Sequence, residues 1–172
     1  MIFLTSDHHF SHKNILRYCS RPFATIREHD EELIRRWNEV VKPQDVVWHL
    51  GDFALTTRAY TEDLVQNRLN GHIHLVAGGH DRRNIIGFES VSQIKAIKID
   101  GTMVVLCHYP LYSWPGMNKH MVWHLHGHVH NKYKLPRLNV LDVGVDGHNF
   151  TPIEWGNVKE LIAIENESKS AT

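Results

Sequence analysis

Ile2-Phe3-Leu4-Thr5-Ser6-Asp7-His8-His9 sets the pattern on which the rest of the chain is built. A short run of strand character breaks off at a polar cluster, as happens where an α/β sheet delivers side chains to a site at its strand ends. Asp7 and His9 stand two apart, so on an extended backbone they share a side while His8 points the opposite way. The same arrangement recurs downstream. Val46-Val47-Trp48-His49-Leu50 ends at Gly51-Asp52, and the strand from His72 to Ala77 ends at Gly78-Gly79-His80-Asp81. Amphipathic helices lie between these strands. Thr25 and Glu28 form a capping box for a helix that carries Leu33, Ile34 and Trp37 on one face, and Pro43 stops it. A second helix is expected over 57–69, closed by Asn70-Gly71. Strands alternating with helices predict a largely parallel sheet.

The second half reads differently. Strands over 92–99 and 102–107 flank Asp100-Gly101, a hairpin signal, and the second strand ends at His108. Val122–Leu125 leads into Gly127-His128-Val129-His130, where the glycine permits a close main-chain approach and the two imidazoles are expected on one side of an extended backbone. Neutral imidazole is the commonest metal ligand, which makes this half of a metal site. An apolar run over 138–145 ends at Asp146-Gly147-His148, and Val158 to Ile164 predicts a final short helix. One domain is expected over 1–165, with a polar tail over 166–172.

Of 172 residues, 42% are hydrophobic and 22% charged, which excludes a disordered or fibrous chain. Lys+Arg and Asp+Glu both number 19. That balance leaves no broad basic surface for wrapping duplex nucleic acid, although a local basic rim can still hold one phosphate. The anomaly is histidine, 15 residues spread along the chain. Cys19 and Cys107 are too few for a disulfide framework, and a reducing compartment follows. The first residues lack the basic and apolar segments of a signal peptide, and no apolar run approaches a bilayer span. A cytoplasmic protein without membrane contact is expected.

The ordered series Asp7-x-His9, Gly51-Asp52, Gly78-Gly79-His80-Asp81, His108 and Gly127-His128-x-His130 resembles the calcineurin-like metallophosphoesterase superfamily. The opening Ser6-Asp7-His8-His9-Phe10-Ser11-His12-Lys13-Asn14-Ile15 is similar to its short, single-domain bacterial and phage members. The resemblance implies an α/β fold of two mixed β-sheets packed as a sandwich flanked by helices (metallophosphoesterase-like α/β/β/α), with the site at strand ends. It implies two divalent metal ions, drawn from manganese, iron, zinc, cobalt or nickel, with manganese favoured. Asp7, His9 and His130 would hold the first ion, Asp52 would bridge, and His108 and His128 would hold the second. His80 would serve as general acid or phosphate contact with Asp81 orienting its ring. The implied reaction is hydrolysis of a phosphodiester or phosphomonoester by attack of a metal-bound hydroxide.

One position departs from the family pattern. Gly79 stands where the family carries an asparagine that ligates the second metal, so weaker second-metal affinity and reduced turnover are expected. A natural variant, an engineered change and altered metal use all fit this glycine, and Asn84 is a poor substitute at its distance along the chain. His12, Asn14, Arg82 and His148 are candidate substrate contacts, and Arg17, Arg21 and Arg83 add to a possible phosphate clamp. His49, His120, His124, His126 and Trp37 read as structural, and His72 and His74 as solvent-facing. The expected partner is a small phosphoester, such as a nucleotide, for a monomer or homodimer; a nucleic-acid end is not excluded. Two other readings stay open: a catalytically weakened metal- and phosphate-binding protein, and a nuclease on the same fold.

Overall fold

Apolar residues alternate in strand β1 (Ile2–Thr5), so that Phe3 and Leu4 enter different cores. This strand pairs in parallel with β2 (Val46–His49), which pairs in parallel with β3 (His72–Val76). The computed structural model describes residues 1–81, 85–119 and 122–170. A short β4 (Ser90–Ser92) extends the parallel run, and β9 (Ile153–Glu154) closes the other edge antiparallel to β1, giving the order β4-β3-β2-β1-β9. The second sheet has the order β5-β6-β7-β8. Its hairpin joins β5 (Ile94–Ile99) to β6 (Thr102–Cys107) through Asp100 at φ 46° and Gly101 at φ 84°. Two positive-φ residues make the tight turn that Asp-Gly favours. Strands β7 (Val122–His126) and β8 (Val140–Asp142) then add in parallel. Two mixed sheets with flanking helices make an α/β sandwich, as the resemblance implies.

Three cores follow. Leu4, Leu50 and Val76 of the first sheet meet Val104, Leu106, Leu125 and Leu141 of the second, closed below by Val158 and Ile162. On the first sheet's outer face, Val47, Ile73 and Leu75 receive Leu33, Ile34 and Trp37. These last belong to the capped helix α2 (Ile26–Val40), which follows a single turn, α1 (Ile15–Tyr18). Thr25 accepts from the Glu28 amide, and Glu28 reaches back to the Ala24 amide, one residue before the cap. The outer face of the second sheet carries Val105, Trp114, Leu135 and Val140.

Two elements differ from expectation. The helix expected over 57–69 is α-helical only as α3 (Arg58–Asp63), then widens to a π turn over Leu64–Arg68. The expected short terminal helix is α4 (Trp155–Ser170), which takes in most of the expected polar tail. Tertiary contacts account for the extension: Asn166 exchanges hydrogen bonds with Asn139, and Lys169 donates to the Arg137 carbonyl. Among the described residues, no helix is long and apolar enough to cross a membrane.

Candidate metal centre

The strands of both sheets end at one edge of the sandwich, and the chemistry-bearing residues sit just past those ends. Their backbone is not extended. Asp7 (φ 60°), His9 (φ 55°), Asp52 (φ 53°), His128 (φ 71°) and His130 (φ 50°) are all left-handed. Non-glycine residues rarely adopt that conformation, and such outliers gather at functional sites. The expected strand-like alternation at Asp7/His9 and at His128/His130 is therefore corrected: each pair is aimed by left-handed turns. At 127–130 the Val129 amide closes such a turn on the Gly127 carbonyl, and His128 and His130 enter different clusters. Gly127 makes the expected close approach, since a Cβ there would lie 2.0 Å from Ser6 Oγ and 2.3 Å from Asp7 Oδ2.

Asp7, His9 and His130 offer ligand atoms within 4.8 Å of one another, and so do Asp52, His108 and His128. Asp52 Oδ2 lies between the groups, 3.6 Å from His9 Nε2 and 3.5 Å from His108 Nε2. These separations exceed a hydrogen bond but suit atoms that share a cation at about 2.1 Å each. Three buried atoms at this spot, Asp7 Oδ1, His9 Nε2 and His108 Nε2, have no hydrogen-bond partner among the described residues. Buried polar groups are otherwise nearly always paired, so atoms of lone-pair character left over in both clusters fit bound metal.

The other side of each ring is anchored. His108 Nδ1 donates to the Leu50 carbonyl (2.7 Å) and His130 Nδ1 to Asp146 Oδ2 (2.7 Å). Both assignments leave the Nε2 lone pair facing the site. His9 Nδ1 lies 3.1 Å from His12 Nδ1, so a His9 whose Nε2 ligates a metal donates from Nδ1 to His12. Asp146 is in turn gripped by Arg21 through Nε and Nη2 (2.9 and 2.7 Å). Arg21 is buried and also donates to the carbonyls of Asp7 and His8. Its expected role as a phosphate clamp is thereby corrected: every arm of the guanidinium is engaged inside the protein.

Burial shapes the charges. It pushes the Asp7 carboxyl up to about 7, against the pull of His108 and His130. It holds the His9 ring far below the usual histidine range. Burial also opposes ionisation of Asp52, but the His108 ring and the His80 amide outweigh it and hold that carboxyl well down. At His130 the burial penalty is overcome by the hydrogen bonds to Asp146 and Cys19 and by the Asp7 charge, raising the ring to about 10.

His80 is half-exposed at the mouth, its Nε2 3.9 Å from Asp52 Oδ2 and its ring packed against His9 and His12. Asp81 does not orient that ring as expected. Both its oxygens are committed to backbone amides, those of Asp52, Phe53 and Gly78, so the carboxylate ties the β2 and β3 ends together. His12 is buried beside His9 and His80, whereas Asn14 is exposed at the start of α1. His148 turns away: its Nε2 bonds the Asp142 carbonyl, and it lines a separate cavity with Ile153 and Leu161. Arg17 lies over the Tyr18 ring. Arg82, Arg83, Asn84 and His120 fall outside the described residues. At Gly79 a Cβ would meet, among the described residues, only the Tyr109 hydroxyl, at 3.2 Å.

Of the histidines read as structural, His49, His124 and His126 are buried and paired. His8 Nδ1 and His49 Nε2 are 2.9 Å apart, and the Gly51 amide donates to His49 Nδ1, which makes His49 the donor. His124 and His126 bond main-chain groups. His72 pairs with Glu89 at the surface, and His74 stacks on Trp48. Sequence reasoning passed over Tyr109, whose ring packs on both His108 and His128, and it missed the bracing role of Asp146. Tyr109 directly follows His108 at a strand end, the one signal that pointed to it.

No protein-family model matches the chain. An uncharacterised protein of Methanocaldococcus jannaschii is 33% identical over 94% of this chain and 90% of its own length. The crystal structure of a protein of unknown function from Aquifex aeolicus shares the fold, with 24% identity, a TM-score of 0.75 and coverage of 94% of this chain and 98% of that one. A structure described as a novel archaeal phosphodiesterase has 19% identity and a TM-score of 0.49, covering 83% of this chain and 81% of that one.

Proposed function

The chain belongs to one family with its Methanocaldococcus jannaschii relative, and we propose that it is a dinuclear-metal phosphoesterase of the calcineurin-like superfamily that its sequence resembles. The observation that carries the reading is the set of buried atoms unpartnered among the described residues: Asp7 Oδ1, and the His9 and His108 Nε2 atoms that lie 3.6 and 3.5 Å from Asp52 Oδ2. Asp7, His9 and His130 would hold one divalent ion and His108 and His128 the other, with Asp52 placed to serve both. Two such ions, when bound, supply Lewis acidity to the phosphoryl oxygens and lower the pKa of the attacking water.

The chain's own residues do the remainder. Arg21 and Asp146 fix the His130 ring, and Leu50 fixes that of His108, so ligand lone pairs are aimed before any substrate arrives. The His80 amide donates to Asp52 Oδ1 (2.9 Å) and fixes that carboxylate as well. The exposed His80 ring stands at the mouth, where it binds a phosphoryl oxygen and donates a proton to the leaving alkoxide. His12, with Nδ1 accepting from His9, carries its proton on Nε2 as a further donor to the phosphate.

Gly79 favours a second reading, a metal- and phosphate-binding protein with weak turnover. No side chain from this position reaches the second cluster, and the hydroxyl of Tyr109 lies closest to the space. Hydrolysis of a chromogenic phosphodiester and its monoester, with and without manganese, separates the two readings when run on the protein and on Gly79→Asn. Metal-dependent hydrolysis by both marks an enzyme; hydrolysis by the asparagine form alone marks a binding protein. Stoichiometric metal without turnover by either removes the phosphoesterase reading for these esters.

A further inference from the structure

Beside the Asp52–His108–His128 cluster the surface opens into a cavity of about 540 Å³ whose walls include Gly78, Ile85, Gln93, Ile94, Tyr109 and Leu111. Two walls belong to the metal centre as well. Gly78 lies against it so closely that a Cβ would come within 2.4 Å of Asp52 Oδ1 and 2.9 Å of the His108 ring. Tyr109 sets its ring at 4.8 Å, centroid to centroid, from both His108 and His128. The cavity therefore adjoins the metal centre, with Gly78 and Tyr109 as walls common to both.

Its chemistry differs from that of the metal clusters. Ile85, Ile94 and Tyr109 are 38%, 57% and 43% exposed, apolar surface left open beside a site crowded with histidine and aspartate. No charged side chain is among the described lining residues. A bare phosphate gains nothing from such walls. A flat organic group gains burial against the isoleucines, a stacking partner in the phenol ring, and one amide, that of Gln93, which both donates and accepts. Glutamine pairs in this way with the N6 and N7 edge of adenine. The volume lies in the range that holds a nucleoside-sized ligand.

We propose that this cavity seats the base of a nucleoside phosphodiester, adenine best, while its phosphorus lies at the metal centre. The assignment rests on the phosphoesterase reading and names its substrate class. Ile85, Gln93, Ile94 and Tyr109 are the residues that set specificity.

Two measurements test it. In the first, adenosine is titrated into protein carrying ¹³C-labelled isoleucine δ1 methyls. The resonances of Ile85 and Ile94 shift saturably, and Ile94→Glu weakens adenosine at least tenfold, whereas Ile164→Glu, on the exposed face of α4, leaves it unchanged. In the second, the manganese-loaded protein is given adenosine 5′-(p-nitrophenyl phosphate) and methyl p-nitrophenyl phosphate, which share a leaving group. The adenosine ester has a kcat/KM at least tenfold higher, and the ratio falls towards one in Ile94→Glu. Unmoved methyls together with equal turnover of the two esters overturn the base site and leave the hydrolase standing. Shifted Ile85 and Ile94 methyls with neither ester hydrolysed keep the base site and remove the hydrolase.

Discussion

Asp7, His9 and His130 form a cluster walled in by protein, whereas the cluster of Asp52, His108 and His128 faces outward through an exposed His128. In the first, every side chain is braced: Asp7 Oδ2 accepts from the His128 amide, His9 leans on His12, and His130 is held by Asp146, itself gripped by Arg21. In the second, His108 is braced by Leu50 and Asp52 by the His80 amide, but Gly79 contributes no side chain. Neighbouring clusters on one scaffold thus pair a preorganised, desolvated site with an open one. Ligand bracing raises metal affinity, so the first cluster should bind its ion tightly and the second exchange it.

The largest test removes what the clusters share. Asp52→Asn should lower kcat at least about a thousandfold, the scale of losing a principal electrostatic stabiliser, and should lower bound metal per chain in elemental analysis. Retained dinuclear occupancy would break the bridging assignment. Next, Asp146→Asn strips the brace from the first cluster alone. Metal affinity there should weaken about 10–100-fold. Leaving buried Arg21 without its carboxylate should cost about 3–5 kcal/mol in urea denaturation. Equal weakening of both ions would erase the contrast between clusters.

The third test separates fold from site. His124 donates from Nδ1 to the Val105 carbonyl and accepts at Nε2 from the Leu111 amide, so its neutral form is required, and burial holds its pKa down near 4. A base whose folded pKa is depressed contributes fully above its unfolded value near 6.5 and loses that contribution as pH falls towards 4. The loss is about 3 kcal/mol. His124→Gln should flatten this acid limb of the urea midpoint while leaving metal stoichiometry alone. The smallest effect sharpens the comparison. Among the described residues a Cβ at Gly79 meets only the movable Tyr109 hydroxyl, so Gly79→Asn should fold normally and bind the second ion about tenfold tighter, read by manganese titration. Gly78→Ala, by contrast, drives a methyl into Asp52 and should lose that ion.

Much of this was legible in the residues. The runs ending at Asp7, Asp52 and His80 announced three parallel strands, and Asp100-Gly101 announced the hairpin, because apolar periodicity and turn chemistry are local properties. What escaped depends on neighbours distant in sequence. Arg21 looks like any surface arginine until Asp146, far along the chain, folds over it. Asp81 follows His80 and reads as its partner, yet the β2 end takes its oxygens. The helical reach of α4 into the polar tail depends on Asn139. The pairing rule for Asp7/His9 and His128/His130 failed for another reason: alternation presumes an extended strand, and these residues begin where the strand stops.

Those left-handed turns restrict redesign. Asparagine, aspartate and histidine are the side chains, apart from glycine, that most readily accept a positive φ. They are also oxygen and nitrogen ligands suited to divalent cations. At positions 7, 9, 52, 128 and 130 the backbone and the coordination chemistry therefore select from the same short alphabet. A library that introduces cysteine or glutamate there to change metal preference will meet conformational resistance before coordination is tested. Substitutions exchanging aspartate, asparagine and histidine leave the loops intact and report on the ion alone.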